Sequence, residues 1–408
     1  MNMRSQLIEG KMRKLLLSVN LLFALFLLAS CTSDPQSENS ADDFQTITKD
    51  SLQADKELSP LRIIGFYHGD GADMGKYEIG KLSHIVFCFT TLKGHKIGFK
   101  TEQDKTKLEK LIALKQEYPH LKVLVSFGGW GGCYSCSNVF AREVYRERFA
   151  ESVKDLLIEY GADGFDLDWE SPVIGGPPNH SASIDDKANF TDLLKKLRHA
   201  IPSEMELSFD ANTFKRYVEE SVEWESVMQY VDYVNLMSYT LPGNEPDRTG
   251  HHTALYSSPA QMESADLAIQ RLDSLGIPRQ KLVLGAAFYG EMYETLDTIN
   301  QGLGRKAKFK SYFDYQQISN RMLNNSDYDY HWDSTSQAPY LFNPSSRLFI
   351  TFDDRKSVAL KTEYALTNKL RGIMFWKLNG DSFKHGLLDA IYDSRDENST
   401  SPFRGSSN

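Results

Sequence analysis

The sequence has no excess of basic residues: 46 Lys and Arg stand against 55 Asp and Glu in 408 residues, a formal net charge of −9. No cluster of Lys or Arg stands out along the chain. Nucleic acids and other polyanions are recognised through basic patches, so they are not the expected partners. An uncharged substrate agrees better with this composition.

Cysteine is also scarce, with four residues in the whole chain. Cys133 and Cys136 form one C-x-x-C pair in a glycine-rich loop, and no second pair follows to complete a zinc site. We expect neither a metal nor a cofactor. In an exported protein the pair predicts a disulfide that closes a small loop, while Cys88, in an apolar strand, is expected to be a buried free thiol.

No apolar run is long enough to span a membrane, which takes about 20 residues. The run at 15–29 is broken by Ser18 and Asn20, follows four basic residues, and ends in small residues before Cys31. This pattern predicts a secretory signal over residues 1–30 rather than a membrane anchor. The Leu-Ala-Ser-Cys sequence at its end resembles a bacterial lipobox, which implies that Cys31 is lipidated.

Two polar segments flank the folded body. Residues 31–59 are rich in Ser, Asp, Glu and Gln, a composition that predicts a flexible tether. Residues 394–408 are similarly polar and are predicted to be a disordered tail. The folded body is therefore expected to span residues 60–393.

Eight short apolar runs alternate with amphipathic helical patterns inside the body. Continuous apolar strands separated by helices indicate a parallel sheet covered by helices, and eight such units predict an α/β fold, the (β/α)8 TIM barrel. More than 80 residues separate the seventh run from the eighth, so an inserted α+β subdomain is predicted at 290–350. The eight runs are 61–67, 83–90, 121–127, 163–169, 204–210, 231–239, 281–288 and 371–377.

The fourth run contains a series of carboxylates, in the sequence DGFDLDWE at 163–170. Side chains on a strand alternate between its two faces, so Asp166, Asp168 and Glu170 share one face and the apolar residues between them share the other. Asp163 has the opposite parity and is expected to hydrogen-bond the backbone. In a closed barrel the acidic face points inward.

Such a cluster is costly, because ionised neighbours repel and at least one carboxyl must hold a proton near neutral pH. Glu170 comes last and therefore lies at the C-terminal mouth of the barrel, where barrel enzymes carry out their chemistry. A protonated carboxyl at that place predicts a catalytic acid. A metal site would need a nearby His, and a solvated acidic face conflicts with the apolar residues between the acids.

The segment 163–170 resembles the D-x-x-D-x-D-x-E signature of glycoside hydrolase family 18, the chitinase family. Other motifs agree with it in order: 126–129 (SFGG) resembles the S-x-G-G element, 237–239 (MSY) the M-x-Y element, and 285–290 (GAAFYG) the seventh strand, while Trp376 matches the Trp below the sugar site. The predicted insertion is placed like the chitinase insertion domain. The resemblance implies hydrolysis of β-1,4 linkages in N-acetylglucosamine polymers or oligomers.

By this resemblance the mechanism is retaining and substrate-assisted, with the 2-acetamido oxygen of the substrate as the nucleophile. Glu170 would act as acid and then as base. Asp168 would orient the acetamido group, Asp166 would share a proton with Asp168, and Tyr239 would donate to the acetamido carbonyl.

The same resemblance implies a set of residues that bind the sugar. Trp376 would lie under the cleaved sugar, Trp130 on the leaving side and Met237 beneath the ring, while Tyr67 and Ser126 would hydrogen-bond Asp166. Asp210, at the mouth of the fifth strand, is expected to contribute to the site. The expected substrate-binding residues are Tyr67, Ser126, Gly129, Trp130, Met237 and Trp376.

Three positions depart from the family pattern. Ser171 stands where an aromatic residue is common, Thr240 where Asp is usual, and Glu291 where Arg is common. These positions surround the predicted acid without replacing it. We expect altered sugar subsites rather than loss of catalysis.

Two other functions stay open: an endo-β-N-acetylglucosaminidase acting on N-glycans, and a surface lipoprotein that binds glycans without cleaving them. Non-catalytic members usually lose the acidic end of the signature, whereas Asp168 and Glu170 are both present. We expect a monomeric enzyme that is exported and lipid-anchored to the bacterial cell envelope at the outer membrane. The lipid is its expected membrane contact, and chitin, chito-oligosaccharides or other N-acetylglucosamine-containing glycans are its expected partners.

Overall fold

A computed structural model describes residues 61–241 and 247–395. The predicted signal segment, the tether and Cys31 lie outside the described residues, as does the predicted tail from residue 396 onward. Within the described residues, no helix is both long enough and apolar enough to cross a membrane.

Eight parallel strands form a closed barrel, because β1 pairs with both β2 and β14. The predicted (β/α)8 barrel is confirmed. A short strand, β3 (Lys96–Gly98), extends β2 in antiparallel pairing. The barrel strands are β1 (Arg62–Tyr67), β2 (His84–Lys93), β4 (Lys122–Gly128), β5 (Gly164–Asp168), β6 (Glu206–Asn212), β7 (Tyr233–Met237), β8 (Leu282–Ala287) and β14 (Gly372–Trp376).

Helices follow most barrel strands, and local sequence signals set several of their ends. Thr101 forms a capping box with Asp104 at the start of α1, and Gly161 ends α3 in the left-handed region at φ 70°. The helices are α1 (Glu102–Ala113), α2 (Cys136–Phe140), α3 (Glu143–Tyr160), α4 (Asp186–Ala200), α5 (Lys215–Glu220), α6 (Trp224–Val227), α7 (Ala265–Ser274), α8 (Tyr315–Arg321), α9 (Arg355–Thr367) and α10 (Leu387–Ser394).

The last helix corrects one predicted boundary. The tail was expected to begin at residue 394, but Ser394 is the last residue of α10 and is buried. Leu387, Leu388 and Ile391 are buried on the same helix, and this helical spacing continues to Ser394. Burial of that face keeps the polar end of the helix ordered.

A second sheet lies between β8 and β14 in the chain. It is antiparallel and five-stranded, in the order β10-β9-β13-β12-β11. It spans residues 289–352, against the predicted 290–350, and contains α8. Its strands are β9 (Tyr289–Thr295), β10 (Ala307–Asp314), β11 (Asp329–Asp333), β12 (Ala338–Asn343) and β13 (Leu348–Phe352).

Two apolar layers hold the barrel together. The larger one lies between strands and helices and includes Phe165, Leu167 and Trp169 of the carboxylate segment. The smaller one fills the barrel interior, and burying each large side chain there contributes roughly 1.5–3 kcal/mol. It consists of Ile64, Phe66, Val86, Cys88, Leu124, Tyr233, Met237, Val283 and Met374. The acidic residues of the barrel lie against this interior layer.

Candidate active site

Strand β5 places its carboxylates inside the barrel. Asp166 and Asp168 are buried, while Phe165 and Leu167 pack in the outer layer, as the alternation predicts. Glu170 is partly exposed, two residues beyond the end of β5. The three acids therefore run from the barrel interior to its C-terminal mouth.

Asp163 has a different role. Its Oδ2 accepts a hydrogen bond of 2.8 Å from the amide of Val123, and its Oδ1 accepts one of 2.7 Å from Lys115 Nζ. These contacts join the start of β5 to β4 and to the end of α1. The structure confirms that Asp163 binds backbone rather than facing the acidic cluster.

Asp166 lies at the bottom of the cluster and accepts hydrogen bonds on both oxygens. Ser126 Oγ donates to Oδ2 at 2.8 Å, as expected. Ser208 Oγ donates to Oδ1 at 2.6 Å, and Asn235 Nδ2 donates to the same atom at 3.1 Å. Ser208 and Asn235 were not among the predicted site residues. Both have the inward parity of their strands, β6 and β7, and that parity was the signal that could have identified them.

The expected hydrogen bond from Tyr67 to Asp166 is wrong. Tyr67 points to the outer layer of β1, where its hydroxyl donates to Asp73 Oδ1 at 3.1 Å and accepts from the amide of Gly71 at 2.8 Å. Phe66, the preceding residue, occupies the inner face instead. The pairing of β1 with β2 and β14 decides which face of β1 points into the barrel. Because Phe66 and Tyr67 are consecutive aromatic residues, the sequence does not show which of them faces inward.

Burial controls the charge of the cluster. It raises the pKa of Glu170 from 4.5 to about 7. Burial also raises the pKa of Asp168 well above its usual value, and the charges of Glu170 and Asp166 add to this effect. No hydrogen-bond partner among the described residues reaches the buried Oδ1 of Asp168. The raised pKa of Glu170 at the mouth is the property that a general acid needs near neutral pH.

Tyr239 and Trp376 border the mouth of the barrel, and both pack on the interior layer. Burial raises the pKa of Tyr239 well above 10, and the neighbouring Asp210, Asp168 and Glu170 carboxyls act in the same direction. Its hydroxyl therefore remains a hydrogen-bond donor. Trp376 stacks on Phe89, with ring centroids 5.5 Å apart. Met237 is buried in the same layer.

Two glycines bring β4 against the end of β5. The amide of Gly129 donates to the carbonyl of Asp168 at 3.0 Å. Gly128 has a φ of 112°, and a Cβ there would lie 2.1 Å from the same carbonyl oxygen. A larger residue at Gly128 would push the Asp168 backbone away. The S-x-G-G element thus sets the position of Asp168.

The loop that follows these glycines carries Trp130, whose side chain is 70% exposed. Cys133 and Cys136 form a disulfide in this loop, and Cys88 is a buried free thiol. An exposed Trp beside the barrel mouth gives a flat apolar surface of the kind that packs against a sugar ring.

The three departures from the family pattern have partners of their own. Thr240 Oγ1 and Tyr289 OH are 2.6 Å apart. Glu291 is buried and accepts a hydrogen bond of 2.6 Å from Tyr293 OH. Ser171 Oγ accepts one of 2.9 Å from Asn212 Nδ2. Glu291 thus places an acidic group within electrostatic range of Tyr289, at a position where Arg is common in the family.

No group of three or more His, Cys, Asp or Glu is arranged to hold a metal ion among residues 61–241 and 247–395. The polar side chains described above are carboxyls, hydroxyls and amides. Their chemistry is that of proton transfer.

The family model described as glycosyl hydrolases family 18 matches residues 62–381, most of the chain. The chain belongs to this family. It is a glycoside hydrolase, as the carboxylate segment predicted.

Two curated relatives illustrate the match. Chitinase A1 of Niallia circulans is 34% identical over 301 residues, covering 68% of this chain and 43% of that protein. Probable chitinase 2 of Drosophila melanogaster is 28% identical over 355 residues, covering 80% of this chain and 72% of that protein. The match therefore spans less than half the length of the first of these relatives.

A solved structure agrees over a similar range. It is a family 18 N-acetylglucosaminidase from Paenibacillus barengoltzii, with a TM-score of 0.74 and 32% identity. The match covers 82% of this chain and 99% of that one.

Proposed function

We propose that the chain hydrolyses β-1,4 linkages between N-acetylglucosamine residues, in chitin or chito-oligosaccharides. The observation that carries this proposal is the position of Glu170 at the barrel mouth, on the same side as the buried Asp168 behind it. The chitinases among the curated relatives support the same substrate class.

The proposed reaction is substrate-assisted, as in family 18 generally. Glu170 gives its proton to the glycosidic oxygen as the bond from that oxygen to C1 breaks. The acetamido oxygen forms a bond to C1, and the positive charge that develops on the acetamido group is stabilised by Asp168. Glu170, now a carboxylate, takes a proton from water, whose oxygen attacks C1 and releases the acetamido group.

Tyr239 supports this reaction through its position. As a neutral donor at the mouth, it can hydrogen-bond the acetamido carbonyl and hold it for attack on C1. The interior layer beneath it is apolar, which strengthens the electrostatic interactions of the groups that lie on it.

A row of aromatic rings leads from Tyr239 to the second sheet and supports a substrate longer than two sugars. The Tyr239 and Tyr289 ring centroids are 6.0 Å apart, those of Tyr289 and Tyr312 are 6.1 Å apart, and those of Tyr312 and Phe309 are 4.7 Å apart. The last two side chains are 58% and 47% exposed. This row gives a sugar chain apolar surface outside the reacting centre.

Product analysis tests the proposal. The purified protein is incubated with chitotetraose, chitopentaose and chitohexaose, and in parallel with a high-mannose glycopeptide. Release of shorter chito-oligosaccharides with retained anomeric configuration is expected. Cleavage of the glycopeptide alone would establish the endo-β-N-acetylglucosaminidase instead, and release of single sugars from one end would indicate an exo-acting enzyme.

Glu170→Gln tests the acid directly. Loss of the general acid should lower kcat by about 10²–10⁴-fold, while chito-oligosaccharide binding, measured by calorimetry, should persist. Wild-type turnover in this variant would refute the mechanism. Binding without turnover in the wild-type protein would favour the non-catalytic glycan-binding function.

We also propose export with a lipid on Cys31, supported by the signal pattern before that residue. Cells fed a radiolabelled fatty acid should label the wild-type protein and not the Cys31→Ser variant. Recovery of unlabelled wild-type protein in the medium would contradict the anchor.

A further inference from the structure

A fourth carboxyl, Asp210, lies inside the barrel beside the three acids of β5. It is on the inner face of β6, where its register partner on β7 is Asn235. The side chain is buried. A carboxyl with no charged partner of opposite sign is expensive in such a place, so its protonation state requires an explanation.

The hydrogen bonds around Asp166 determine that state. Asp210 and Asp166 are within hydrogen-bonding distance of each other, and two carboxyls can share a hydrogen bond only if one of them holds a proton. Asp166 already accepts from Ser126, Ser208 and Asn235. Burial raises the pKa of Asp166, but these donors oppose that shift and favour its ionised form. The pKa of Asp210 is raised further, well above its usual value, so the shared proton belongs on Asp210.

The surroundings of Asp210 Oδ1 also indicate that Asp210 holds the proton. No donor among the described residues reaches the buried Asp210 Oδ1, so an ionised Asp210 would be an uncompensated buried charge. Asp166, Asp168 and Glu170 all disfavour its ionisation. Cys88 on β2, Tyr239 after β7 and Tyr217 on α5 also lie within electrostatic range of Asp210.

We propose that Asp210 is a neutral carboxylic acid that donates a hydrogen bond to Asp166 and thereby positions it as an anion behind Asp168. Asp210 is a positioning residue, because it acts on the reaction only through Asp166. Its donation lowers the proton affinity of Asp166, which sets how Asp166 and Asp168 share a proton during turnover. The kinetic consequences rest on the proposed function; the protonation state does not.

Two substitutions at Asp210 distinguish the effect of its hydrogen-bond donor from the effect of a negative charge. Asp210→Asn keeps a donor of similar shape and cannot ionise, whereas Asp210→Ala removes the donor. With chitotetraose as substrate, Asp210→Ala should lower kcat by about tenfold or more, the worth of a hydrogen bond to a charged group, with KM nearly unchanged. Asp210→Asn should restore kcat to within about threefold of wild type on the same basis.

The pH profile of Asp210→Asn gives the decisive readout. If Asp210 is neutral, the alkaline limb of kcat/KM stays where it is in the wild type. If Asp210 is ionised, its loss removes a negative charge near Glu170, lowers the pKa of Glu170 and moves that limb to lower pH. Such a shift, or wild-type kcat in a folded Asp210→Ala variant, would overturn the proposal.

A spectroscopic test does not need turnover. The infrared difference spectrum between the wild type and Asp210→Asn at pH 6 should show loss of a protonated carboxyl band. Loss of a carboxylate band instead would contradict the assignment. If the wild type fails to cleave chito-oligosaccharides, the proposed function fails while this measurement still decides the state of Asp210. If Asp210→Ala does not fold, Ser208→Ala removes another neutral donor to Asp166 and replaces it in the kinetic series.

Discussion

Glu170 and Asp168 are two acids on one segment with different surroundings. Asp168 is buried among other carboxyls, and Glu170 lies at the mouth, where burial is the cause of its raised pKa. Asp166 below them is held by hydroxyl and amide donors. The donors around Asp166 favour its ionised form, whereas burial favours the protonated form of Glu170, and this difference places the transferable proton next to the substrate.

The pKa of Glu170 predicts the pH dependence of activity. As the general acid, Glu170 must be protonated in the free enzyme, so kcat/KM for chitotetraose should fall above a midpoint near pH 7. Initial rates between pH 4 and pH 9 check this. An alkaline limb that persists unchanged in the residual activity of Glu170→Gln would show that another group titrates there.

The same shift has a consequence for stability. The folded-state pKa of Glu170 is raised above 4.5, so its contribution to stability is full below pH 4.5 and is lost as pH rises to about 7. Glu170→Gln should therefore weaken the pH dependence of the unfolding free energy in this window. Urea denaturation of both proteins at pH 4.5 and pH 7 measures the difference.

At the scale of elements, a β-bulge in β10 determines which aromatic side chains lie on one face of the second sheet. Phe309 pairs with Tyr293 and Tyr312 with Glu291, with a register shift between them. Residues 293 and 291 lie on the same face of β9, so the bulge brings Phe309 and Tyr312 to that face although they are three residues apart. Without it they would point to opposite sides, and the aromatic row would end at Tyr312.

This arrangement predicts a dependence on substrate length. Phe309→Ala and Tyr312→Ala should raise KM for chitohexaose by about three- to tenfold, the worth of one aromatic contact, and should leave the kinetics of chitotriose unchanged. Tyr330→Ala is the matched control, because Tyr330 is an exposed aromatic on the opposite face of the same sheet. Equal effects on both substrates would show that the rings do not bind the distal sugars.

At the scale of the whole molecule, a buried ion pair joins the second sheet to the barrel. Lys361 on α9 donates to both oxygens of Asp353, at 2.8 and 2.6 Å, and both side chains are fully buried. Asp353, immediately after β13, also accepts from the amide of Ala287 at the end of β8 and from Thr253. This network therefore ties the end of β13 in the second sheet to β8 and α9 of the barrel.

Removing one partner of this pair should destabilise the fold strongly. Lys361→Met leaves the Asp353 carboxylate buried without its cation and should lower the unfolding free energy by about 3–5 kcal/mol. Urea denaturation followed by tryptophan fluorescence measures the loss. The double variant Lys361→Met, Asp353→Leu should recover part of it; no recovery would mean that the pair does not act as a unit.

The sequence by itself determined the alternation of strands and helices, and with it the barrel. It also determined which acids share a face, because side-chain parity within a strand is local and Asp166, Asp168 and Glu170 follow a period of two. The inserted sheet was predicted from the length and composition of its segment.

Only the tertiary structure decided the neighbours of those acids. Side-chain parity shows which residues of a strand share a face, but pairing with the adjacent strands decides which face points into the barrel. For this reason Tyr67 was predicted on the inner face, whereas Phe66 lies there in the structure. The contacts of Asp166 with Ser208 and Asp210 depend on the register between β5 and β6. Contacts across strands distant in sequence arise when the barrel closes, so no local pattern encodes them.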